Sequence, residues 1–195
     1  MSSRGRGDGG QTLGIYIVAV AALFFLAFAY FAVGQAASVR NIAQTAADAS
    51  ALAAAREVRD SVREPFLDAL EAGDLDQLQD LLALNGMTPG NACSAAATYA
   101  GQNRAVVDEC DIGGPGGVAV ALHTSGTVGK SVVPGTESMN ARATATAVVE
   151  SRCVVDDKDG DEITFICDGD EVTVDPTADD FDLNLAEFYS VHLSE

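Results

Sequence analysis

Basic residues, histidine and tryptophan are scarce in this sequence. Its 195 residues include 11 Lys and Arg, 2 His and no Trp, against 29 Asp and Glu, which gives a net charge of -18. A surface with this excess of acid repels the phosphate backbone of nucleic acids and the anionic headgroups of lipids. We therefore expect no nucleic-acid partner, and cations or basic proteins are the charged ligands that the composition favours.

Sequence signatures of catalysis are also missing. The chain has no nucleophile elbow and no H-E-x-x-H segment. Gly129, Lys130 and Ser131 spell the end of a phosphate-binding loop, but Thr124 occupies the position of its first Gly. The sequence thus predicts no catalytic residue, no cofactor-binding residue and no cofactor, and we do not expect an enzyme.

The cysteines lack the spacing of a zinc site. None of the four belongs to a C-x-x-C pair, and neither histidine is near a cysteine in sequence. An even number of cysteines in an oxidising compartment indicates two disulfides. Four cysteines allow three connectivities, of which we favour the two local closures, first with second and third with fourth. The candidate disulfide residues are Cys93, Cys110, Cys153 and Cys167.

Charged residues are absent from a long apolar segment near the N-terminus. From Leu13 to Val33 there is no Asp, Glu, Lys or Arg, and at about 1.5 Å per helical residue this run matches the roughly 30 Å hydrocarbon core of a bilayer. A buried core helix or the apolar part of a cleaved signal would be shorter. We expect a transmembrane helix over 12–34 in contact with the lipid bilayer, with Tyr16 and Tyr30 near its two interfaces.

The residues that flank this segment predict its orientation. Arg4 and Arg6 precede it, against a single Asp8, and basic residues in a short flanking segment favour the cytoplasmic side. Residues 1–11 are therefore expected to form a cytoplasmic tail. The sequence predicts a single-pass protein of the cytoplasmic membrane whose C-terminal domain is extracytoplasmic.

The helix is expected to continue beyond the membrane over 35–60. This segment has no Pro and is dominated by Ala, the best helix former. Small and apolar residues recur at spacings of three and four along one face, which suits close packing against another helix or a sheet. This face packs either on the protein's own domain or on another subunit. The residues of this candidate helix interface are Val39, Ile42, Ala46, Ala49 and Ala53.

The N-terminal third of the chain resembles a known family. The sequence GDGGQ before the span and the run AADASALAAA from Ala46 to Ala55 are similar to TadE/TadG-like proteins of Flp (tight adherence) pilus assembly systems, especially actinobacterial ones. The segment ACSAAATYAGQNRAVVDEC, at 92–110, is similar to a region of TadE-like proteins outside the membrane. The resemblance implies a membrane-anchored, pilin-like component that assembles with other single-span pilus or secretion subunits in the membrane.

The span departs from the pattern of processed pilins. Type IV prepilins, which are cut after a Gly, carry Glu at the fifth position of the mature chain. A cut after Gly10 would place Ile15 there, and the span contains no acidic residue. An unprocessed, TadG-like anchor is therefore expected.

Residues 61–195 are expected to form a small, acidic, disulfide-bonded α+β domain with a mainly antiparallel sheet. Apolar residues return at helical spacing over 64–84, where Gly73 divides the helix in two. The end of the chain, DLNLAEFYSVHL, is expected either to finish the sheet or to form a short helix. Strands are predicted at 104–110, 118–122, 141–153, ITFIC and EVTV.

An acidic segment late in the chain contains part of a calcium-loop pattern. Asp157, Asp159 and Asp161 have the one, three, five spacing of such a loop, and Asp168 falls at position twelve. Glu162 replaces the Gly that the sharp turn of the loop needs, so a solvated hairpin turn is favoured over a calcium site. We therefore assign no metal ligand.

These patterns together favour a structural or assembly component of a Flp/Tad-type pilus or a related secretion system. The alternative is a membrane-tethered extracytoplasmic binding module, adhesin-like and with calcium as the candidate cation. Both functions use the same architecture, so the sequence separates them poorly.

Overall fold

The computed structural model describes residues 11–85, 90–114, 116–127 and 138–194. The predicted cytoplasmic tail up to residue 10 and the Gly-Lys-Ser sequence at 129–131 lie outside the described residues. The helices are α1 (Gln11–Asp60), α2 (Arg63–Ala72), α3 (Leu75–Leu82), α4 (Ala92–Gln102) and α5 (Leu185–Phe188). The strands are β1 (Ala105–Gly113), β2 (Gly117–Thr127), β3 (Asn140–Ser151), β4 (Cys153–Asp159), β5 (Glu162–Cys167), β6 (Asp170–Val174) and β7 (Tyr189–Leu193).

The longest element, α1, is one uninterrupted helix of 50 residues. Ala and other apolar residues dominate its sequence, and no Pro interrupts its backbone hydrogen bonds. The helix ends at Asp60, after which the hydroxyl of Ser61 donates a hydrogen bond of 2.6 Å to the carbonyl of Val58. The predicted continuation of the apolar helix beyond residue 34 is thus confirmed.

Gly73 separates α2 from α3, as the sequence predicted. Its φ of +62° lies in the left-handed region that favours glycine, and its N–H donates to the carbonyl of Leu70. Asp74 then caps α3, because its side chain accepts a hydrogen bond from the N–H of Gln77. The two short helices therefore pack on each other just beyond the end of α1.

The larger sheet is antiparallel, with strand order β1-β2-β3-β7. One face is covered by helices, because α1 lies against β2, β3 and β7 while α4 lies against α1 and β1. Side chains along β2 alternate between buried and more exposed positions, as a sheet with one covered face requires. The strand β2 continues to Thr127, beyond its predicted end at Leu122, because His123 still pairs with Arg142 of β3.

The smaller sheet has the antiparallel order β4-β5-β6. The sequence predicted only two strands here, and this prediction is wrong, because the acidic segment Cys153–Asp159 forms a third. It pairs with β5 in a register that places Val155 opposite Phe165, while most of its acidic side chains stay exposed. Asp168 and Gly169, between β5 and β6, both have positive φ, which is the requirement of a type I′ hairpin turn.

The C-terminal segment, for which the sequence left two possibilities open, adopts both structures. The Asn184 side chain accepts a hydrogen bond from the N–H of Ala186 and so starts the short helix α5. The chain then becomes extended, and β7 pairs with β3 to complete the larger sheet. The predicted α+β fold with a long apolar helix and an antiparallel domain is confirmed.

Four aromatic rings join the two sheets and the short helices. Phe188 lies 5.0 Å from both Phe66 of α2 and Phe165 of β5, measured between ring centroids. Tyr189 packs edge-on against Phe66 at 6.3 Å. All four are buried, and such pairs add about 0.5–1.5 kcal/mol each beyond their buried area. This cluster fixes the smaller sheet at the far end of the domain from the apolar half of α1.

Candidate membrane anchor and assembly interface

The first half of α1 exposes its apolar side chains on every side. Each large apolar side chain from Leu13 to Val33 is exposed, from 48% at Val20 to 80% at Tyr30. Apolar surface of this extent is not stable in water and marks a membrane or protein contact. In the described part of the chain, one helix is long and apolar enough to cross a membrane, and it starts at Leu13, within α1.

The second half of α1 is built into the domain. Ala43 is its first fully buried residue, nine positions or about 14 Å after Gly34. From there to Val58 one broad face is buried against α4 and the larger sheet. The buried residues of this face are Ala43, Ala46, Ala47, Ser50, Ala51, Ala53, Ala54, Ala55 and Val58. The domain is therefore attached to the exposed segment by continuous helix, without a linker.

The buried face is made of small side chains because α1 lies between the sheet and a second small-residue helix. On α4, Ala92, Ala96 and Ala100 are fully buried. Small side chains on both helices allow their backbones to approach closely. Packing inside the domain thus accounts for much of the Ala content of 43–58.

The candidate interface that the sequence predicted is centred on a different side of α1 from this buried face. The two centres are about 100° apart around the helix axis, which is the angle between consecutive helical residues. Ala46 and Ala53 belong to its edge and are buried in the chain's own core. Ala49 and Val39 are half-buried, and Ile42 is 41% exposed. A partner helix therefore has access to Val39, Ile42 and part of Ala49 but not to the two buried alanines.

A shallow groove of about 460 Å³ lies beside α1 where the helix leaves the domain. Its mixed apolar and polar lining includes Ile42 of the predicted interface and one residue from the end of α4. Asn103 comes from more than 50 residues further along the chain, so no local pattern in the sequence indicated it. The lining residues are Gly34, Ala37, Ser38, Asn41, Ile42, Thr45 and Asn103.

The two disulfides join neighbours in the fold. Cys93 on α4 is bonded to Cys110 on β1, and Cys153 on β4 is bonded to Cys167, its direct partner on β5. These are the two local closures that the sequence favoured. Disulfides persist in oxidising compartments, which is consistent with an extracytoplasmic position for the domain.

The acidic segment that carried the partial calcium pattern has the backbone of a hairpin. Asp157 and Asp159 lie on β4 and pair with Thr164 and Glu162 of β5, whereas a calcium loop would wrap its ligands around one ion. In the described part of the chain, no three His, Cys, Asp or Glu side chains are grouped to hold a metal ion. The segment thus has the hairpin structure that the sequence favoured.

One polar pair lies on the outward face of the larger sheet, away from α1. The Nδ1 atom of His123 is 2.7 Å from a carboxylate oxygen of Asp108, and both side chains are partly exposed. Arg142 and Met139 line the same shallow depression. The pair lies near the end of the domain from which the apolar half of α1 emerges.

The comparisons with known proteins concern this helix. Residues 10–57 match the Tad family model, described as Flp pilus-assembly TadE/G-like. The match covers the exposed apolar segment and nearly all of the buried face of α1, and it ends before α2. No curated protein and no solved structure matches the chain at a significant level. The N-terminal part of the chain, up to residue 57, is therefore similar to the TadE/G-like family of Flp pilus assembly.

Proposed function

We propose that the protein is a membrane-anchored, pilin-like structural or assembly component of a Flp/Tad-type pilus, of the actinobacterial type, or of a related secretion system. The observation that carries this proposal is the organisation of α1. The stretch that matches the pilus-assembly family contains both an apolar segment exposed on all sides and a segment buried in the outer domain. Because the helix is continuous, the position of the anchor in the membrane determines the position of the domain.

The proposed topology follows the divisions expected from the sequence. Residues 12–34 span the cytoplasmic membrane, residues 1–11 lie in the cytoplasm, and residues 35–60 extend the helix into the acidic domain at 61–195. Two disulfides support an oxidising environment for the domain. The basic residues before the span support a cytoplasmic N-terminus.

The proposed partners are other single-span pilus or secretion subunits together with the lipid bilayer. Close to the domain, a partner helix can reach Val39, Ile42 and part of Ala49 of the predicted interface. The groove beside them supplies both apolar surface and hydrogen-bonding groups from Ser38, Asn41 and Asn103. Within the lipid, the whole circumference of the apolar segment is available.

The proposal is tested by crosslinking in native membranes. Val39→Cys and Ile42→Cys introduce single free thiols, because all four native cysteines are paired in disulfides. Crosslinks from both positions to other pilus-system subunits are the expected result. Ala46→Cys is the matched control, since its side chain is buried in the core and should give none.

A deletion strain provides the functional test. Loss of surface pili, or accumulation of assembly intermediates, is expected when the gene is removed, with recovery when the unmodified gene is restored. Normal pili in the deletion strain would show that the protein is not needed for assembly.

A membrane-tethered binding module is the second candidate, and one observation favours it. The small-residue face of α1 is occupied largely by the chain's own sheet and by α4, so its Ala content does not require a partner subunit. If neither exposed thiol gives a crosslink and the protein is monomeric in the membrane, the binding module would be favoured over the assembly component.

A further inference from the structure

The two ends of the outer domain differ in charge. We define the proximal end as the part beside 34–48 of α1 and the distal end as the part beyond Asp60. Asn103 lines a groove with Gly34 and Thr45, so the α4–β1 turn is proximal. The start of β3 is proximal too, because Thr144 lines a second groove with residues 44 and 48 of α1.

Three exposed arginines lie at the proximal end. Arg40 is on α1, Arg104 follows α4, and Arg142 is near the start of β3, paired across the sheet with His123. Two carboxylates are described near them. Asp108 contacts His123 at 2.7 Å, and Asp48 accepts a hydrogen bond of 2.8 Å from Gln44. The three arginines outnumber these two carboxylates.

The acidic residues are concentrated at the distal end. From Asp156 to Glu187 the sequence has 13 Asp and Glu and a single Lys. This stretch forms β5, β6, α5 and most of β4, and it packs against α2 and α3, the helices that follow the end of α1. The negative charge of the protein is therefore distributed unevenly along the direction of α1, with most of it at the distal end.

Exposed apolar side chains follow the same division. Outside the apolar segment of α1, the large apolar side chains with high exposure in the described part of the chain are Ile42, Tyr99, Val106, Met139, Val154 and Leu193. Of these six described residues, Val154 on β4 belongs to the distal part of the domain. The proximal end therefore combines arginines with apolar and aromatic side chains, the composition that suits a membrane interface.

The continuous helix fixes how far this end can be from the bilayer. If hydrocarbon ends at Gly34, Arg40 is six residues or about 9 Å further along. A bilayer with a core of about 30 Å and a total thickness of about 40–45 Å has headgroup layers of roughly 5–8 Å. A tilt of the span toward the sheet, of the order of 20° as is common, brings Arg142 and Val106 toward the same depth.

We propose that the proximal end docks on the anionic phospholipid headgroups of the bilayer that holds the span. Arg40, Arg104 and Arg142 pair with lipid phosphates, Tyr99 and Val106 enter the interface, and the acidic distal end is held away from the surface. This inference rests on the proposed membrane anchoring. It also qualifies the expectation from composition that the acidic surface repels anionic lipids, since the repelling charges lie at the far end.

Fluorescence quenching of single tryptophans in the full-length chain tests the docking, because the sequence contains no Trp. Val106→Trp reports on the proximal end and Val154→Trp on the distal end. The two valines are matched, since both lie on strands and are 49% and 52% exposed. Phe24→Trp reports on the span. Each variant is reconstituted in vesicles of phosphatidylglycerol and phosphatidylcholine that carry either acyl-chain bromines or a headgroup spin label.

Docking predicts that bromines quench Phe24→Trp, that the headgroup label quenches Val106→Trp, and that Val154→Trp is quenched by neither. Quenching of Phe24→Trp with equal, weak quenching at both valine positions would overturn the docking and leave the anchor intact. Absence of quenching at Phe24→Trp would overturn the anchor and the docking together.

Charge reversal provides the second measurement. The double variant Arg104→Glu with Arg142→Glu should lower the equilibrium constant for docking on anionic vesicles by at least about fivefold per arginine, seen as a loss of headgroup quenching at Val106→Trp. The control, Arg56→Glu with Arg63→Glu, makes the same change of net charge at exposed positions toward the distal end. Equal losses from the two doubles, or no dependence on phosphatidylglycerol content, would contradict the proposal.

Discussion

The hydroxyl of Tyr189 donates a hydrogen bond of 3.0 Å to the backbone carbonyl of Leu81, 108 positions earlier in the chain. Leu81 lies in the last turn of α3, and its carbonyl also accepts a hydrogen bond of 2.9 Å from the N–H of Leu84. Tyr189 begins β7 and is buried. This bond therefore ties the last strand of the larger sheet to the helical corner that follows α1.

Removing the hydroxyl should destabilise the domain. Tyr189→Phe removes one of the two hydrogen bonds to the Leu81 carbonyl, which keeps the N–H of Leu84, at a cost of about 0.5–1.5 kcal/mol in the free energy of unfolding. Urea unfolding of the full-length protein in detergent measures this change. Tyr99→Phe is the control, because the Tyr99 side chain is 41% exposed and its loss of a hydroxyl should change stability little. Equal effects of the two substitutions would contradict the assignment.

The same tyrosine should limit stability in alkali. Burial raises the pKa of Tyr189 above its ordinary value of 10.0, so folding favours the neutral phenol. The stabilisation is fully present below pH 10 and is lost as the pH rises above it, because the unfolded chain then ionises and the folded chain does not. We expect the free energy of unfolding to fall above pH 10, and Tyr189→Phe to remove part of that fall.

Replacing Ser50 by alanine should increase stability. It is fully buried on α1, and among the described residues its hydroxyl has no hydrogen-bond partner. Ser50→Ala removes an unpaired buried hydroxyl and adds a better helix former, so it should stabilise the protein by about 1 kcal/mol. Ser38→Ala, at an exposed position on the same helix, controls for helix propensity alone. A loss of stability in Ser50→Ala would indicate that the hydroxyl has a bonding partner.

Two glycines of the β1–β2 turn should respond differently to a methyl group. Gly114 and Gly116 both have positive φ, but a side chain at Gly114 meets open space. A Cβ at Gly116 would lie 2.7 Å from the backbone carbonyl oxygen of Val149, which cannot move away cheaply. Gly114→Ala should cost about 1–2 kcal/mol from the left-handed backbone alone, and Gly116→Ala should cost more. Thermal unfolding of the two variants side by side checks the order.

The sequence was most informative where composition determines structure. The segment from Leu13 to Val33 could be assigned because it has no charge, and the break at Gly73 because left-handed backbone favours glycine. The disulfides followed from the preference for local closures. These features depend on residues that are close together in the chain.

The features that were missed depend on contacts between distant segments. On α1, nearly every position from Ala43 to Ala55 is small, so hydrophobicity could not show which face is buried in the domain. The strand β4 was missed because its acidic residues resemble a turn, and only its pairing with β5 makes it extended. No local pattern placed Asn103 beside Gly34.

A charge in the apolar segment of α1 should reduce retention of the protein in the membrane. Leu23 is 66% exposed near the middle of the predicted span, and an arginine at the centre of a transmembrane helix costs about 2.5–3.5 kcal/mol on insertion scales. Leu23→Arg should therefore move a large part of the protein out of the membrane fraction, as measured by fractionation and immunoblotting. Leu13→Arg is the control, since an arginine at the end of the span can extend its guanidinium to the headgroups. Full retention of Leu23→Arg would mean that a partner surface, and not lipid, surrounds this helix.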